Sequence, residues 1–213
     1  MTRPAALLLD IEGTTSSIAF VAEVLFPFAR AHLAGYVAAH AKTLAPLLAE
    51  VQALQPGDPV ATLFGWIDED RKATPLKTLQ GMIWAEGYAD GRLQGHVYPD
   101  TVVALRRWQA AGVPVHIYSS GSVAAQKLLF AYSIAGDLTG YLGQHFDTTT
   151  GPKRETASYR KIAAALALAP HDILFVSDMA VEIDAARASG MQALLIDRTG
   201  PNGDVTTLNE VLP

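Results

Sequence analysis

The sequence contains no cysteine. That absence excludes disulfide bridges, thiolate metal centres and a cysteine nucleophile, and it suits a reducing cytoplasm. Positive charge is also scarce. Sixteen lysines and arginines stand against 21 aspartates and glutamates, for a net charge of -5, and the basic residues are scattered, so no nucleic-acid footprint is expected. Long unbroken apolar runs are missing too. The opening MTRPAALLLDIEG reaches Asp10 too soon for a signal sequence. The most apolar stretch, 19–37, is interrupted by Glu23, Pro27, Arg30 and His32, which argues against a bilayer span. There is no internal repeat and no low-complexity tract. What is present is apolar residues: half of the 213 positions, ample for a core. A soluble, cytoplasmic, globular protein is expected, one domain or one with an insertion, with no membrane and no nucleic-acid partner.

Four short apolar runs stand out: AALLLD (5–10), VPVHIYSS (113–120), DILFVSD (172–178) and ALLID (193–197). None alternates strictly, and three end in aspartate. Strands of a parallel sheet covered on both faces look like this. Helical patterns lie between them at 99–112, 122–133, 154–168 and 179–190, with Gly112 and Gly190 where helices would end. The rhythm predicts an α/β fold, a doubly wound parallel sheet of Rossmann-like type. Residues 17–95 break it with helical segments at 19–40, 43–54, 58–73 and 75–90. The predicted organisation is a core of 1–16 and 96–213 with a helical cap, 17–95, inserted after the first strand. Ligands of open α/β sheets bind outside the carboxyl ends of the strands, where such a cap would act as a lid.

Polar residues follow three of the runs. Asp10 and Glu12 close the first, Ser119 and Ser120 the second, and Asp178 the third. Asp10, Glu12 and Asp178 make a hard, all-oxygen set that suits Mg²⁺, a cation that takes one or two carboxylates, keeps waters and binds phosphate. Glu182, one helical turn beyond Asp178, is either a further oxygen near the metal or a helix-start acid; Asp184 is expected to face solvent. Thr14, Thr15, Ser16 and the turn Ser119–Ser122 offer hydroxyls and N–H groups to an anion at a helix start. A cation is still needed, and Lys153, in a Gly-Pro loop before a helix, is preferred to Lys127. These types support phosphoryl transfer: a carboxylate nucleophile, charge neutralisation by metal and lysine, and a second acid for the proton. Residues i and i+2 of an extended chain share a face, so Asp10 and Glu12 can address one phosphate.

The pattern DIEGT (10–14), SSGS (119–122), Lys153 and SD…E (177–182) resembles the haloacid dehalogenase-like phosphatases, whose DxDxT has its second aspartate replaced here by Glu12. That replacement, with DIEGTTSSIAFV (10–21), LKTLQGMIWAEGY (76–88), LQGHVYPD (93–100), IYSSGSVAAQKLLF (117–130) and SDMAVEIDAARASG (177–190), is similar to the enolase-phosphatase family of methionine salvage. The likeness runs along nearly the whole chain. It implies a monomeric hydrolase with one Mg²⁺ that enolises 2,3-diketo-5-methylthiopentyl-1-phosphate and then dephosphorylates it to the acireductone 1,2-dihydroxy-3-keto-5-methylthiopentene. By motif match it makes Asp10 the nucleophile and a metal ligand. Glu12 becomes the general acid/base, binding metal through its carbonyl, while Asp178 completes the metal site. Ser119, Ser120 and Lys153 bind the phosphate, and Lys153 also orients Asp10. Thr14 and Glu182 are expected just outside the metal's ligands. The enolisation base stays open between Glu12 and cap residues Lys77, Trp84, Glu86 and Tyr88, and Trp84 and Tyr88 suit a core equally well. His96 and His116 are expected to be structural. The alternatives are a generic small-molecule phosphatase of the same superfamily without enolase activity, and a catalytically silent metal-binding module.

Overall fold

A computed structural model describes residues 3–212. Five parallel strands form one sheet in the order β3-β2-β1-β4-β5. They are β1 (Ala6–Leu9), β2 (Val115–Tyr118), β3 (Leu142–Phe146), β4 (Ile173–Ser177) and β5 (Gln192–Leu195). Every residue of β1, β2 and β4 is buried, as expected of strands covered on both faces. The α/β class predicted from the apolar runs is the fold observed. The runs at 5–10, 113–120 and 172–178 contain β1, β2 and β4, and the run at 193–197 overlaps β5 from Ala193 to Leu195.

The strand β3 was not foreseen. Its sequence, LGQHF, is neither an apolar run nor an alternation, and only Phe146 is buried. It lies at a sheet edge, and with its first four residues at least partly exposed no buried face imposes a pattern on it. The register places Leu9 opposite both Ile117 and Val176. The ends of β2, β1 and β4 therefore open side by side, and the strand order reverses between β1 and β4.

The structure divides into two compact units. One comprises the chain up to Ile18 and from Gln94 onward; the other is Ala19–Leu93. The second unit is helical: from the second residue of α1 (Ile18–Phe20) it continues through a π-helical turn (Val21–Leu25), α2 (Phe26–Ala39), α3 (Ala41–Leu54), α4 (Pro59–Asp68) and α5 (Thr74–Ala89). Its own core gathers Leu33, Leu44, Val51, Leu63, Trp66 and Leu79. The continuous helix Ile18–Ala39 is long and apolar enough to match a membrane span by length and composition alone, a match that core helices of soluble proteins also make. One face of it, Ala29, Leu33 and Val37, is buried in this unit's core, and Arg30 pairs with Asp68 at 2.9 Å.

In the sheet unit, α6 (Pro99–Ala110), α7 (Val123–Ala131), α8 (Thr156–Leu166) and α9 (Ala180–Ala188) follow the strands. Leu8, Tyr118, Tyr159, Ile162, Phe175 and Ile183 form one buried cluster there. Gly95 packs so closely that a Cβ would lie 2.1 Å from the Leu129 carbonyl oxygen, whereas a Cβ on Gly81 of α5 meets nothing within 4 Å. Backbone cannot yield as a side chain can. Gly95→Ala is expected to lower stability by about 1–3 kcal/mol, and Gly81→Ala to raise it by about 0.4–1 kcal/mol, read from urea midpoints; equal midpoints would refute the packing account.

Candidate active site

Three fully buried leucines, Leu7–Leu9, carry β1 to Asp10. The Asp10 N–H continues the ladder by donating to the Val176 carbonyl at 3.0 Å. The chain then turns: the N–H groups of Thr14, Thr15 and Ser16 all donate to the Ile11 carbonyl, and the Thr15 hydroxyl donates to the Asp10 carbonyl at 3.0 Å. Gly13 has φ +70°, and a Cβ there would lie 2.1 Å from Asp178 Oδ2. A glycine is thus required twice, for the left-handed backbone and for the close approach of Asp178.

The Lys153 ammonium is 2.6 Å from Asp10 Oδ1 and 2.6 Å from Glu182 Oε2, and all three side chains are buried. The Tyr159 hydroxyl donates to the Lys153 carbonyl at 2.7 Å and the Tyr118 hydroxyl to the Gly151 carbonyl at 2.9 Å, which hold the lysine's loop. Ser177 Oγ lies 2.9 Å from Glu182 Oε2 and 3.4 Å from Asp10 Oδ2. A hydroxyl has one proton, so the shorter bond to Glu182 dominates.

Burial pushes the Asp10 carboxyl up to about 6; Lys153 opposes this and Glu182 adds to it. Burial alone would depress Lys153, but Asp10 and Glu182 outweigh it and hold the ammonium above its ordinary value. The two directions agree physically, because one ammonium faces two carboxylates and the surplus is negative. Asp178 is also raised, by burial first, with Glu182 and Glu12 adding and Lys153 opposing. Four acids therefore act on one another around one lysine. No three acidic or imidazole side chains among the described residues are already gathered as a metal cage. The surplus of hard oxygen donors nevertheless fits Mg²⁺, which needs only one or two carboxylates beside carbonyls and water. Thr14 Oγ1 is buried and finds no hydrogen-bond partner among the described residues.

Of the serines, Ser119 is buried and Ser120 exposed. Ser119 N–H donates to the Phe146 carbonyl at 3.2 Å, and its Oγ accepts from Gly121 N–H at 3.2 Å. Glu12 is half-buried; Lys127 and Asp184 are exposed. His116 Nδ1 accepts from Gln144 N–H at 2.8 Å and His96 Nδ1 from Ser17 N–H at 3.0 Å, both backbone supports. Trp84 donates to the Leu25 carbonyl at 2.9 Å and packs against the helical core, Tyr88 is buried, and Glu86 pairs with Arg92 at 3.1 Å. The sequence motif at 177–182 included Ser177 without giving it a role, and Arg198 carried no signal at all. The Arg198 guanidinium bonds Asp100 at 2.7 Å, stacks on Tyr98 and donates to the Thr14 carbonyl. No local signal marks an arginine 184 residues away in sequence.

A buried acid-rich strand end with one lysine defines a class before it defines a substrate. Residues 4–190 match the model of the haloacid dehalogenase-like hydrolases, and the chain belongs to that family. Its relatives include enolase-phosphatase E1 of Pseudomonas aeruginosa, 53% identical over 208 residues, covering 93% of this chain and 83% of that protein. Enolase-phosphatase E1 of Granulibacter bethesdensis is 52% identical over 211 residues, covering 98% and 91%. Within the family, the chain belongs with the enolase-phosphatases. Among solved structures, the UTR4 protein of Saccharomyces cerevisiae is 35% identical with a TM-score of 0.83, covering 93% of this chain and 92% of that one. A haloacid dehalogenase-like phosphatase of Thermococcus onnurineus, at 20% identity and a TM-score of 0.60 over 97% and 95%, shares the fold.

Removing one partner of a buried charge cluster strands the other charges. Lys153→Met in metal-free buffer is expected to cost about 3–5 kcal/mol in urea unfolding. Adding Glu182→Gln should recover part of that loss. A double variant no more stable than the single one would contradict the charge account.

Proposed function

We propose that this enzyme is a bifunctional enolase-phosphatase that converts 2,3-diketo-5-methylthiopentyl-1-phosphate to the acireductone and inorganic phosphate, as a cytoplasmic monomer in methionine salvage. The observation that carries the reading is the buried Asp10–Lys153–Glu182 cluster at the end of β1, in a chain more than half identical to proteins named enolase-phosphatase E1.

Asp10 is the nucleophile. Lys153 keeps it ionised against its burial, and its carboxylate forms a bond to phosphorus as the bond from phosphorus to the substrate oxygen breaks. Glu12 gives its proton to the leaving oxygen. It then takes one from the water that attacks the aspartyl-phosphate, which frees phosphate and restores both acids. Lys153, Ser119 and Ser120 hold the phosphoryl oxygens. Asp10, Asp178 and the Glu12 carbonyl would hold Mg²⁺, which supplies charge neutralisation at the phosphoryl group and polarisation of the substrate carbonyl. Thr14 and Glu182 support these groups from behind. Glu12 also serves as the base that removes the carbon-bound proton. In its favour, Trp84, Tyr88 and Glu86 are engaged within the helical unit. The helical unit is the proposed lid, a role its insertion between Ile18 and Gln94 supports.

Incubation with the diketone phosphate and Mg²⁺ should give an enol absorbance that persists after phosphate release. Asp10→Asn should cut phosphate release by more than about a thousandfold. Release from many sugar phosphates with none from the diketone would refute the reading in favour of a generic phosphatase. Glu12→Asp, one methylene shorter, should retain Mg²⁺ binding while changing the ratio of the enolisation and dephosphorylation rates. If both rates scale by one factor in single-turnover measurements, Glu12 does not serve the two steps separately.

A further inference from the structure

Gln126 in α7 is 2% exposed, and a glutamine amide so buried needs its partners. Its Nε2 donates to the Gly121 carbonyl at 2.8 Å and to the Phe146 carbonyl at 2.9 Å. Both amide protons are thereby spent on carbonyls, so Oε1 must accept. It faces His145 Nδ1 at 3.0 Å, which places the imidazole proton on Nδ1. Burial, with Lys127 and His116 adding, pushes His145 down to about 4, so the ring is neutral at ordinary pH.

The Phe146 carbonyl also accepts from Ser119 N–H. One buried amide therefore ties both ends of the turn, Gly121 directly and Ser119 through the carbonyl they share. Ser119 Oγ accepts from Gly121 N–H, and its own proton remains available to donate to a ligand. The pattern is more than helix packing: an apolar side chain would fill the space, whereas Gln126 spends each polar atom on the turn or on the residue that orients it.

We infer that Gln126 is a positioning residue for phosphoryl binding, holding the Ser119–Gly121 turn to the end of β3, and that His145 fixes the orientation of its amide. The inference rests on the reading of this turn as the phosphoryl site. Preorganised donors matter because phosphoryl transfer depends on positioning and electrostatics.

The test compares Gln126→Met, His145→Phe, His145→Asn and Ser119→Ala with the wild-type enzyme, using the diketone phosphate with Mg²⁺ and inorganic phosphate as inhibitor. Gln126→Met should raise KM and the phosphate inhibition constant together by about tenfold, with kcat changed less than about threefold. His145→Phe should raise both about threefold, and His145→Asn, whose amide N–H replaces Nδ1–H, should bring them back toward wild type. If Ser119→Ala raises both constants and Gln126→Met raises neither, the inference fails by itself. If Ser119→Ala also leaves both unchanged, the turn is not the phosphoryl site and the inference falls with that reading. Should Gln126→Met fail to fold, the histidine pair decides: an unchanged His145→Phe overturns the inference, and a rise reversed in His145→Asn upholds it.

Discussion

One ammonium at the end of the central strand sets the terms for the site. Lys153 lies 2.6 Å from both Asp10 and Glu182, in surroundings where an unpaired carboxylate costs several kcal/mol. Leu7, Leu8 and Leu9 are fully buried and contribute about 1.5–3 kcal/mol each, enough to hold Asp10 at a strand end it would otherwise leave for water. The compensation is incomplete. Asp10 and Asp178 both stay above their ordinary range because burial and neighbouring acids oppose their ionisation. Such a cluster is stable only with its lysine and remains short of positive charge, which is the electrostatic condition for binding a hard cation.

Two backbone turns are held around that cluster by side chains from elsewhere in the sheet unit. The turn after Asp10 is gripped at the Thr14 carbonyl by Arg198 and at the Thr15 carbonyl by the Thr101 hydroxyl and Tyr98 N–H. The turn after β2 is gripped by Gln126. Neither device adds charge at the acids themselves. Both remove freedom from short loops of small residues, which would otherwise be the least ordered parts of a strand end.

Legibility in the sequence differed from residue to residue. The strands β1, β2 and β4 could be read because burial on both faces leaves an apolar run, and β5 because its Ala193 and Leu194 are buried within a short apolar run, while β3 could not, because Gly143, Gln144 and His145 carry no such run. Lys127 and Lys153 look alike as letters; the fold buries Lys153 against Asp10 and leaves Lys127 exposed. Glu182 was readable only as a helix-start acid or a metal neighbour. Its salt bridge to Lys153 joins segments 29 positions apart, a relation no local pattern encodes. Trp84 and Tyr88 were equally consistent with core and ligand contact, since spacing says which face a residue occupies and not what covers it.

The four apolar strands β1, β2, β4 and β5, the acids that follow three of them and the membership of the enolase-phosphatases follow from the sequence, because periodicity and motif are local and survive in one dimension. The tertiary structure decided which polar groups meet: Lys153 with two carboxylates, Ser177 with Glu182, Asp178 against Gly13, Arg198 on Thr14, and Gln126 on both ends of a turn. Hydrogen bonds and ion pairs act over about 3 Å, and only folding brings residues so far apart in the chain to that range.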